Sequence, residues 1–458
     1  NGQYQNNKFD GELTIDDENF KMKFSGLADL SSEVSKFDFK SNIAYLNLKE
    51  TNLFVRDSIS HLKGVIELDI EGNTFDDLIG NAIFKDVFYT NQKEEFSFKE
   101  FKVSSSLQDS IKRIDLISED IANGFVTGKF TFSELSKVAQ NSLGSIYTNY
   151  SPYKVAPNQF LDFNFTIYNQ IVNVFFPDIY IDDNTKIRGK IQSNKNLLKV
   201  TFSSPRIDAY GNELKEVLLR TDNQNPLYNS HLTAAEINTK YYNATKLNLL
   251  NRTENDTLYF KSEFDGGINN KENFNLDFYY TINQDKKSVL GFEKSKFVLK
   301  NTPWTINPDE KNTDKIIFDL KNGEFNFSQF KLTSGQQQIK FTGNLKGDSD
   351  KILLADFTKV KLQSFLPEID SLALKGRVSG NLDFVQKDNV YSPEAVLVIK
   401  DFEVNNFKQG ELAINILGDN SYEKYNVDLS IKNERVKSIA ATGVLDFSNS
   451  RPLIDLQV

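Results

Sequence analysis

Cysteine is absent from this chain of 458 residues, and other residue types with distinctive chemistry are scarce. Without cysteine the chain forms neither disulfide bonds nor thiolate metal sites. Two histidines occur, His61 and His231, and they lie far apart in unrelated contexts. A histidine-based catalytic triad or a multi-histidine metal site is therefore not expected.

The chain also lacks the basic excess that nucleic-acid binding needs. Its formal net charge is −9 at pH 7, and no clustered basic face is visible. The charged residues instead alternate with apolar ones, as in FKMKF (Phe20 to Phe24) and IELDIE (Ile66 to Glu71). Such alternation is typical of the solvated face of a sheet, so we expect no nucleic-acid partner.

Long hydrophobic runs are missing as well. No run approaches the roughly 20 apolar residues of a membrane-spanning helix, and no charged segment followed by an apolar core opens the chain. The sequence begins at Asn1 rather than Met, and the strand pattern continues to Val458. We therefore expect it to be a segment of a longer protein.

Short motifs for ion or phosphate binding are not found either. The acidic stretches Asp182 to Asn184 and Asn307 to Asp309 lack the spaced ligand ladder of a calcium loop, so we interpret them as turns. No glycine-rich phosphate loop follows a strand and opens a helix. Carboxylates are frequent but form no recognisable pair. We expect no enzyme activity, no cofactor and no metal.

Aromatic residues are abundant by contrast, with 38 Phe and 18 Tyr. Aromatic and β-branched side chains suit a pleated, half-buried surface, while Asn, Asp and Gly supply its turns. The composition predicts an all-β fold.

A recurring pattern places apolar residues two and four positions after a glycine. Period-two spacing puts each pair on one face of a strand, with polar residues on the other face. A register shift of one residue would turn a pair to the opposite face. The pairs are Leu13 and Ile15 after Gly11, Ile66 and Leu68 after Gly64, Phe130 and Phe132 after Gly128, Phe325 and Phe327 after Gly323, Leu382 and Phe384 after Gly380, Leu412 and Ile414 after Gly410, and Leu445 and Phe447 after Gly443.

The intervals between these glycines are irregular, which argues against a fixed-period solenoid. We predict an elongated, curved antiparallel sheet with an open groove. Irregular joints at residues 145–160 and 301–315 suggest three parts, residues 1–150, 151–300 and 301–458. Three separate compact domains are the competing interpretation.

Three segments have helical spacing and are predicted to lie over the sheet or over the end of a groove. The first includes Phe75, Leu78, Ile79, Ala82 and Ile83. The second includes Leu135, Val138, Ala139 and Leu143, with Ser133 as the predicted cap, and the third runs from Asn212 to Leu219. They have too few basic residues for membrane-surface helices.

The stretch from Ala355 to Phe384 combines these features. It passes from a strand into an apolar turn of helix, Leu362, Phe365 and Leu366, which Pro367 ends, and a second strand begins near Gly380. With the downstream Gly410 to Ile416, it resembles the TamB family of AsmA-like, bridge-like lipid-transfer proteins. The similarity covers roughly Phe325 to Phe447, and Gly128 to Tyr147 resembles the Bacteroidetes form.

The resemblance implies a β-taco that carries phospholipid through the periplasm between the inner and outer membranes. It also implies an inner-membrane anchor outside this segment and an Omp85-family, TamA-like outer-membrane barrel as partner. The alternative function in that family is assembly of outer-membrane β-barrel proteins, by strand addition to an exposed edge.

The residues themselves support the lipid hypothesis. A long apolar stripe without a covering sheet normally marks a binding surface, and the ligand that fits a long, featureless trough is a lipid tail. We therefore predict that the fourteen residues after the glycines line a lipid groove. A purely structural or adhesive β-protein, with the stripe closed by a second sheet, also fits the composition.

Overall fold

The computed structural model is almost entirely β-structure, which confirms the predicted fold class. Its described residues form one antiparallel sheet of 32 strands with a few short helices. The chain divides into two compact units, residues 1–250 (unit 1) and 251–458 (unit 2), and this boundary coincides with neither predicted joint. The structure describes residues 2–144, 146, 150–267, 270–311, 313–347, 349–364, 372–388, 390–420, 423–433, 436–448, 451 and 453–458.

Unit 1 contains fifteen complete strands and most of a sixteenth. In chain order they are β1 Gly2–Gln5, β2 Lys8–Asp16, β3 Phe20–Asp29, β4 Lys36–Asn47, β5 Ser60–Glu71, β6 Ile79–Asn91, β7 Glu95–Gln108, β8 Ile111–Ser118, β9 Ala122–Lys129, β10 Phe160–Ile167, β11 Ile179–Ile181, β12 Thr185–Gln192, β13 Leu197–Ala209, β14 Asn212–Asp222, β15 Ser230–Asn238 and β16 Asn243–Glu254. Its helices are α1 Leu135–Gly144, α2 Asn169–Phe175 and the 3-10 turns Phe132–Glu134 and Ser193–Lys195.

Unit 2 continues with sixteen strands of varied length. They are β17 Thr257–Gly266, β18 Glu272–Ile282, β19 Ser288–Phe292, β20 Ser295–Leu299, β21 Thr302–Ile306, β22 Lys315–Asp319, β23 Glu324–Ser334, β24 Gln337–Lys346, β25 Asp350–Lys361, β26 Leu374–Lys387, β27 Val390–Tyr391, β28 Glu394–Val404, β29 Phe407–Gly418, β30 Lys424–Asn433, β31 Val436–Asp446 and β32 Leu453–Gln457. One 3-10 turn, Leu362–Ser364, follows β25.

Most strands pair with the next strand in the chain, as the predicted meander requires. In unit 1 this holds from β1 to β10; β10 then pairs with β12, and the short β11 pairs with β13. In unit 2 β18 pairs with both β19 and β20. Strand β19 then pairs with β22 and strand β20 with β21, and both β21 and β22 pair with β23. From β23 the meander runs to β32, with β27 as a short spur on β26.

Bulges interrupt several of these strands in a common way. A charged, exposed residue has a positive φ inside the strand, where a side chain in the left-handed region is uncommon. These residues are Asp86, Glu216, Lys246, Lys359 and Asp401. At four of the five bulges the next residue is buried: Val87, Val217, Val360 and Phe402. The extra residue turns outward and lets the strand keep its apolar side chains on one face.

The recurring glycines lie mostly inside strands rather than at strand starts. Gly128 and Gly380 have φ values of +155° and +135°. A side chain at either position would clash with a carbonyl oxygen of the neighbouring strand, that of Phe160 or Val396 respectively. Glycine is required there because two backbones approach closely.

One of the three predicted helices is confirmed and two are wrong. The segment around Val138 forms α1, although the cap of the preceding 3-10 turn is Thr131 rather than Ser133. Residues from Ile79 and from Asn212 form strands β6 and β14. In β14 Glu216 has a positive φ and no partner in the register with β13, so the regular alternation is interrupted within the segment whose spacing resembles a helix.

The two predicted joints differ in their local structure. Residues 150–159 contain neither helix nor strand, whereas the second joint contains β21 and is irregular over residues 307–311 and 313–314. Leu362 belongs to a 3-10 turn after β25. The predicted helical positions Phe365 and Leu366, and the stop at Pro367, lie outside the described residues.

Candidate functional site: the apolar face of the sheet

The strand register shows which side chains of unit 1 share a face, because directly opposed residues of antiparallel strands project to the same side. One row of opposed residues crosses fourteen strands and contains only glycine and apolar side chains. It consists of Gly2, Gly11, Gly26, Phe39, Leu68, Ala82, Val103, Leu116, Gly124, Phe165, Ile187, Phe202, Leu219 and Leu232. We call it the central row of the unit 1 apolar face, and it spans roughly 60 Å at the usual strand spacing.

The adjacent row on the other face has the opposite character. It contains Asp10, Leu27, Asp38, Asp69, Asn81, Ser104, Asp115, Phe125, Asn164, Arg188, Thr201, Arg220 and His231. Nearby Glu67 accepts hydrogen bonds from Lys85 and Lys40 at 2.8 and 2.9 Å. The bond from Lys85, followed by that from Lys40, lowers the pKa of Glu67. This face is polar, and its charges pair across strands.

Side chains of the central row are half-buried: each non-glycine member is neither sealed nor largely exposed. The accessible surface of the chain is 27563 Å². Two separate globular domains dividing 458 residues between them would expose roughly 21,000 Å² in total. The excess indicates that much of the sheet is a single layer rather than a closed sandwich.

Helix α1 covers the apolar face of unit 1 at one end of the strands. Val138 is fully buried there and packs with Phe130 on Leu161, Ile191 and Leu198. These three strand residues oppose one another, two rows away from the central row. The helix therefore covers one side of the apolar face but does not cover the central row.

Helix α2 covers the same face at the other end of the strands. Val174 packs on Val87, Tyr89 and Phe96, and Ile171 adds to this cluster. The central row of unit 1 thus runs between two helix-covered margins.

An ion pair between an exposed arginine and a buried aspartate holds the end of α2. Arg56 donates hydrogen bonds to the carbonyl oxygens of Val174 and Phe175, the latter at 3.1 Å, and pairs with Asp57 at 2.9 Å. Asp57, only 5% exposed, also accepts a hydrogen bond from Tyr89. The bond from Arg56 holds the pKa of Asp57 below its usual value against the effect of burial, while burial and Asp57 raise the pKa of Tyr89.

Unit 2 has an apolar face of its own with three adjacent rows. The first contains Phe330, Phe341, Ala355, Leu382, Ala395, Ile416, Val427, Gly443 and Leu456; the second contains Leu332, Ile339, Phe357, Gly380, Leu397, Ile414, Leu429 and Ala441; the third contains Val360, Val378, Ile399, Leu412, Ile431 and Ile439. Leu362 of the 3-10 turn packs beside the third row. At the first row Phe341 and Leu382 are 41% and 46% exposed.

Eleven of the fourteen predicted groove residues lie in strands on the expected face, and a twelfth, Phe447, lies just after a strand. Leu13, Ile15, Ile66 and Leu68 lie on the unit 1 apolar face; Phe325, Phe327, Leu382, Phe384, Leu412, Ile414 and Leu445 lie on that of unit 2, and Phe447 follows β31 with its ring against Tyr425.

The prediction of a strand pair at Phe130 and Phe132 is wrong. Strand β9 ends at Lys129, Phe130 is buried beneath α1, and Phe132 begins the 3-10 turn at 39% exposure. The chain leaves the sheet here because α1 must cross back over the face before β10 begins.

Sequence reasoning missed α2 and the Arg56–Asp57 pair. Their contacts join residues more than a hundred positions apart, and no local sequence pattern indicates them. In the part of the chain that the structure describes, no group of three or more acidic, histidine or cysteine side chains is arranged to hold a metal ion. Helices of the length and apolarity that crossing a bilayer requires are likewise not found among the described residues.

No protein-family model, curated protein or solved structure matches this chain.

Proposed function

We propose that this chain binds the hydrocarbon tails of phospholipids along the apolar face of its sheet and passes them along it, as a segment of a lipid-transfer bridge. The observation that carries the proposal is the central row of unit 1, where fourteen strands present uncharged positions whose non-glycine side chains are all half-buried. An apolar surface of this length is longer than a small-molecule pocket and has the chemistry of an acyl chain.

The energetics favour such a ligand. Moving a lipid tail from a bilayer into water costs about 0.8 kcal/mol per CH₂, or roughly 13 kcal/mol for a tail of about sixteen carbons. Contact with an apolar row offsets much of this cost, because water leaves both surfaces. The same contact also covers side chains such as Phe165 and Ile187, which are half-buried in the free chain.

Movement along the row requires no chemical step. Neighbouring strands are roughly 4.8 Å apart, and each offers a similar uncharged position, so that a tail exchanges one set of contacts for an equivalent set. Helices α1 and α2 restrict it sideways. The mechanism therefore assigns roles to the row and its margins and to no catalytic residue.

The resemblance to TamB proteins adds the cellular setting to this proposal. On this resemblance we propose that the segment lies in the periplasm, with phospholipids as cargo, an anchor in the inner membrane and an Omp85-family barrel at the outer membrane. The strand geometry supports the apolar surface, and the resemblance alone supports the membranes and the barrel.

The test uses two variants in adjacent positions of β10. Phe165→Glu places a charge in the central row, whereas Asn164→Glu, the matched control, adds the same charge to the exposed polar face. Native mass spectrometry of the purified chain, together with transfer of labelled phospholipid between vesicles, measures binding and movement. We expect wild type and Asn164→Glu to bind and transfer lipid. Phe165→Glu should bind and transfer at least about tenfold less lipid, since a buried charge is strongly disfavoured.

A parallel pair in unit 2 is Leu382→Glu, with Asn381→Glu as its control on the other face. Absence of lipid from the wild-type chain, or equal transfer by folded Phe165→Glu and Asn164→Glu, contradicts the proposal. Loss of folding in Phe165→Glu would point instead to a sealed core at this position, which circular dichroism detects.

A further inference from the structure

One lysine lies on the apolar face of unit 1. Lys112 in β8 opposes Gly128, which in turn opposes Leu161 in the row beneath α1. The residue is 3% exposed, and its Nζ atom lies 5.2 Å from the ring centre of Phe130 and 4.5 Å from that of Phe132. Its ammonium group thus sits at the margin of the apolar face, where β8 begins.

This position is exceptional within the unit. Among the described residues Lys112 is the one buried lysine, and its register partners Leu107 and Gly128 and the next residue of its face, Ile114, are uncharged. Other lysines of unit 1, such as Lys23 and Lys186, project to the polar face and are exposed. A lysine at this point does not serve the solvation of the sheet.

The ammonium group is also poorly satisfied. It has three N–H donors, and the structure gives it one oxygen acceptor among the described residues, Oδ1 of Asp76 at a long 3.4 Å. That oxygen already accepts a 2.8 Å hydrogen bond from the backbone N–H of Phe132. The two aromatic rings offset part of the cost of desolvating the ammonium group. With one weak acceptor, however, the buried ammonium lacks the anionic oxygen atoms that would compensate for the rest of that cost.

We infer that Lys112 binds the acidic head group, a phosphate or carboxylate, of an amphiphile whose tail lies on the unit 1 apolar face. This inference rests on the proposed function and adds the charge class of the ligand. Both kinds of head group present several oxygen acceptors, which the unused N–H groups of Lys112 require. The tail then runs from this margin towards Leu116 and the central row, and Asp76 acts as the internal substitute when no ligand is bound.

The test compares probes that share one tail: hexadecyl phosphate, palmitate and hexadecanol, each in competition with a fluorescent acyl probe bound to the purified chain. We expect both anionic probes to bind at least about tenfold more tightly than hexadecanol, because charge-assisted hydrogen bonds are the stronger class. Lys112→Met should remove this preference and retain binding of hexadecanol. Lys23→Met, which removes an exposed lysine of the polar face, is the control and should keep the preference.

A second variant avoids the risk that Lys112→Met fails to fold. Asp76→Asn removes the competing carboxylate and should tighten binding of hexadecyl phosphate severalfold, with little change for hexadecanol. Equal binding of charged and neutral probes by wild type overturns the head-group assignment and leaves the proposed function intact, whereas no binding of any probe overturns both. If inorganic phosphate binds as tightly as hexadecyl phosphate, Lys112 is an anion site that needs no tail, which also overturns the inference.

Discussion

The two units present similar apolar faces but close their margins differently. In unit 1 separate helices cover both ends of the strands, with Val138 of α1 and Val174 of α2 as the buried contacts. In unit 2 the sheet supplies most of its own cover: Trp304 packs on Ile339 and Val360, and among the described residues one 3-10 turn assists.

This difference shows where a single-layer sheet keeps its core. The buried clusters of both units lie at strand ends, and the rows farther from them are half-buried or exposed, as at Phe165 and Leu382. Stability then resides at the margins, while the middle of the face is less covered. Breaking one margin should consequently leave the other unit's margin in place.

The largest effect is expected in unit 2. Trp304 is 1% exposed, and Trp304→Ala should cost about 3–5 kcal/mol by removing a large side chain from a packed cluster. Hydrogen exchange should accelerate in β21 and β24, whereas amides of α1 keep their protection. Phe341→Ala, at a position that is 41% exposed, is the control and should cost far less; equal costs would show that burial is spread evenly over the face.

The corresponding change in unit 1 is Val138→Asp. Val138 is fully buried, so that an aspartate there loses its hydration without gaining a partner, at a cost of about 3 kcal/mol. Exchange should accelerate in α1 while α2 stays protected, because the two helices cover opposite ends of the strands. Gln140→Asp changes an exposed position of the same helix. If Gln140→Asp accelerated exchange in α1 as much as Val138→Asp, helix propensity rather than packing would keep α1 in place.

Much of this architecture follows from period-two patterning. Pairs such as Leu13 with Ile15 and Leu412 with Ile414 lie on the predicted faces, because alternation along a strand is a local property that the sequence records directly. Helix α1 was equally predictable, since Leu135, Val138 and Ala139 have helical spacing and α1 is the element that forms there.

The failures have a physical cause in bulges and distant contacts. A bulge such as that at Asp401 shifts the alternation by one residue, and its exposed charge looks like an ordinary polar position. Phe130 has the spacing of a strand residue, yet the chain leaves the sheet because α1 needs a partner beneath it. The burial of Lys112 depends on Asp76 and Phe132, which contact it only in the folded chain.

A smaller effect is expected at the α2 margin. Arg56→Ala removes two hydrogen bonds to the end of α2 and leaves Asp57 without its cation, which should cost about 2 kcal/mol. The pKa of Asp57 is lowered in the folded chain, so its contribution is complete above the unfolded value near 4 and is lost as the pH falls through the lowered value.

Amide exchange in α2, measured at neutral pH and near pH 3, checks both statements. Protection of α2 should fall at the lower pH in wild type, and Asp57→Asn should remove most of that difference. Exchange in α1, whose buried contacts are the apolar side chains around Val138, provides the comparison. A pH response of α2 that survives in Asp57→Asn would assign it to other carboxylates.

The smallest effect concerns the bulges, which both units share. Glu216 in unit 1 and Asp401 in unit 2 have φ values of +50° and +54° and are exposed. Glycine adopts this conformation without the penalty of about 1 kcal/mol that a side chain carries, although it adds freedom to the unfolded chain. Either residue changed to Gly should therefore alter stability by less than about 1 kcal/mol in urea unfolding, while a change to Val should destabilise by more, because a branched side chain is worst suited to positive φ. If Val were tolerated as well as Gly, the strand would have straightened at this position. The buried neighbours Val217 and Phe402 would then have left the apolar face, and local protection from amide exchange would be lost.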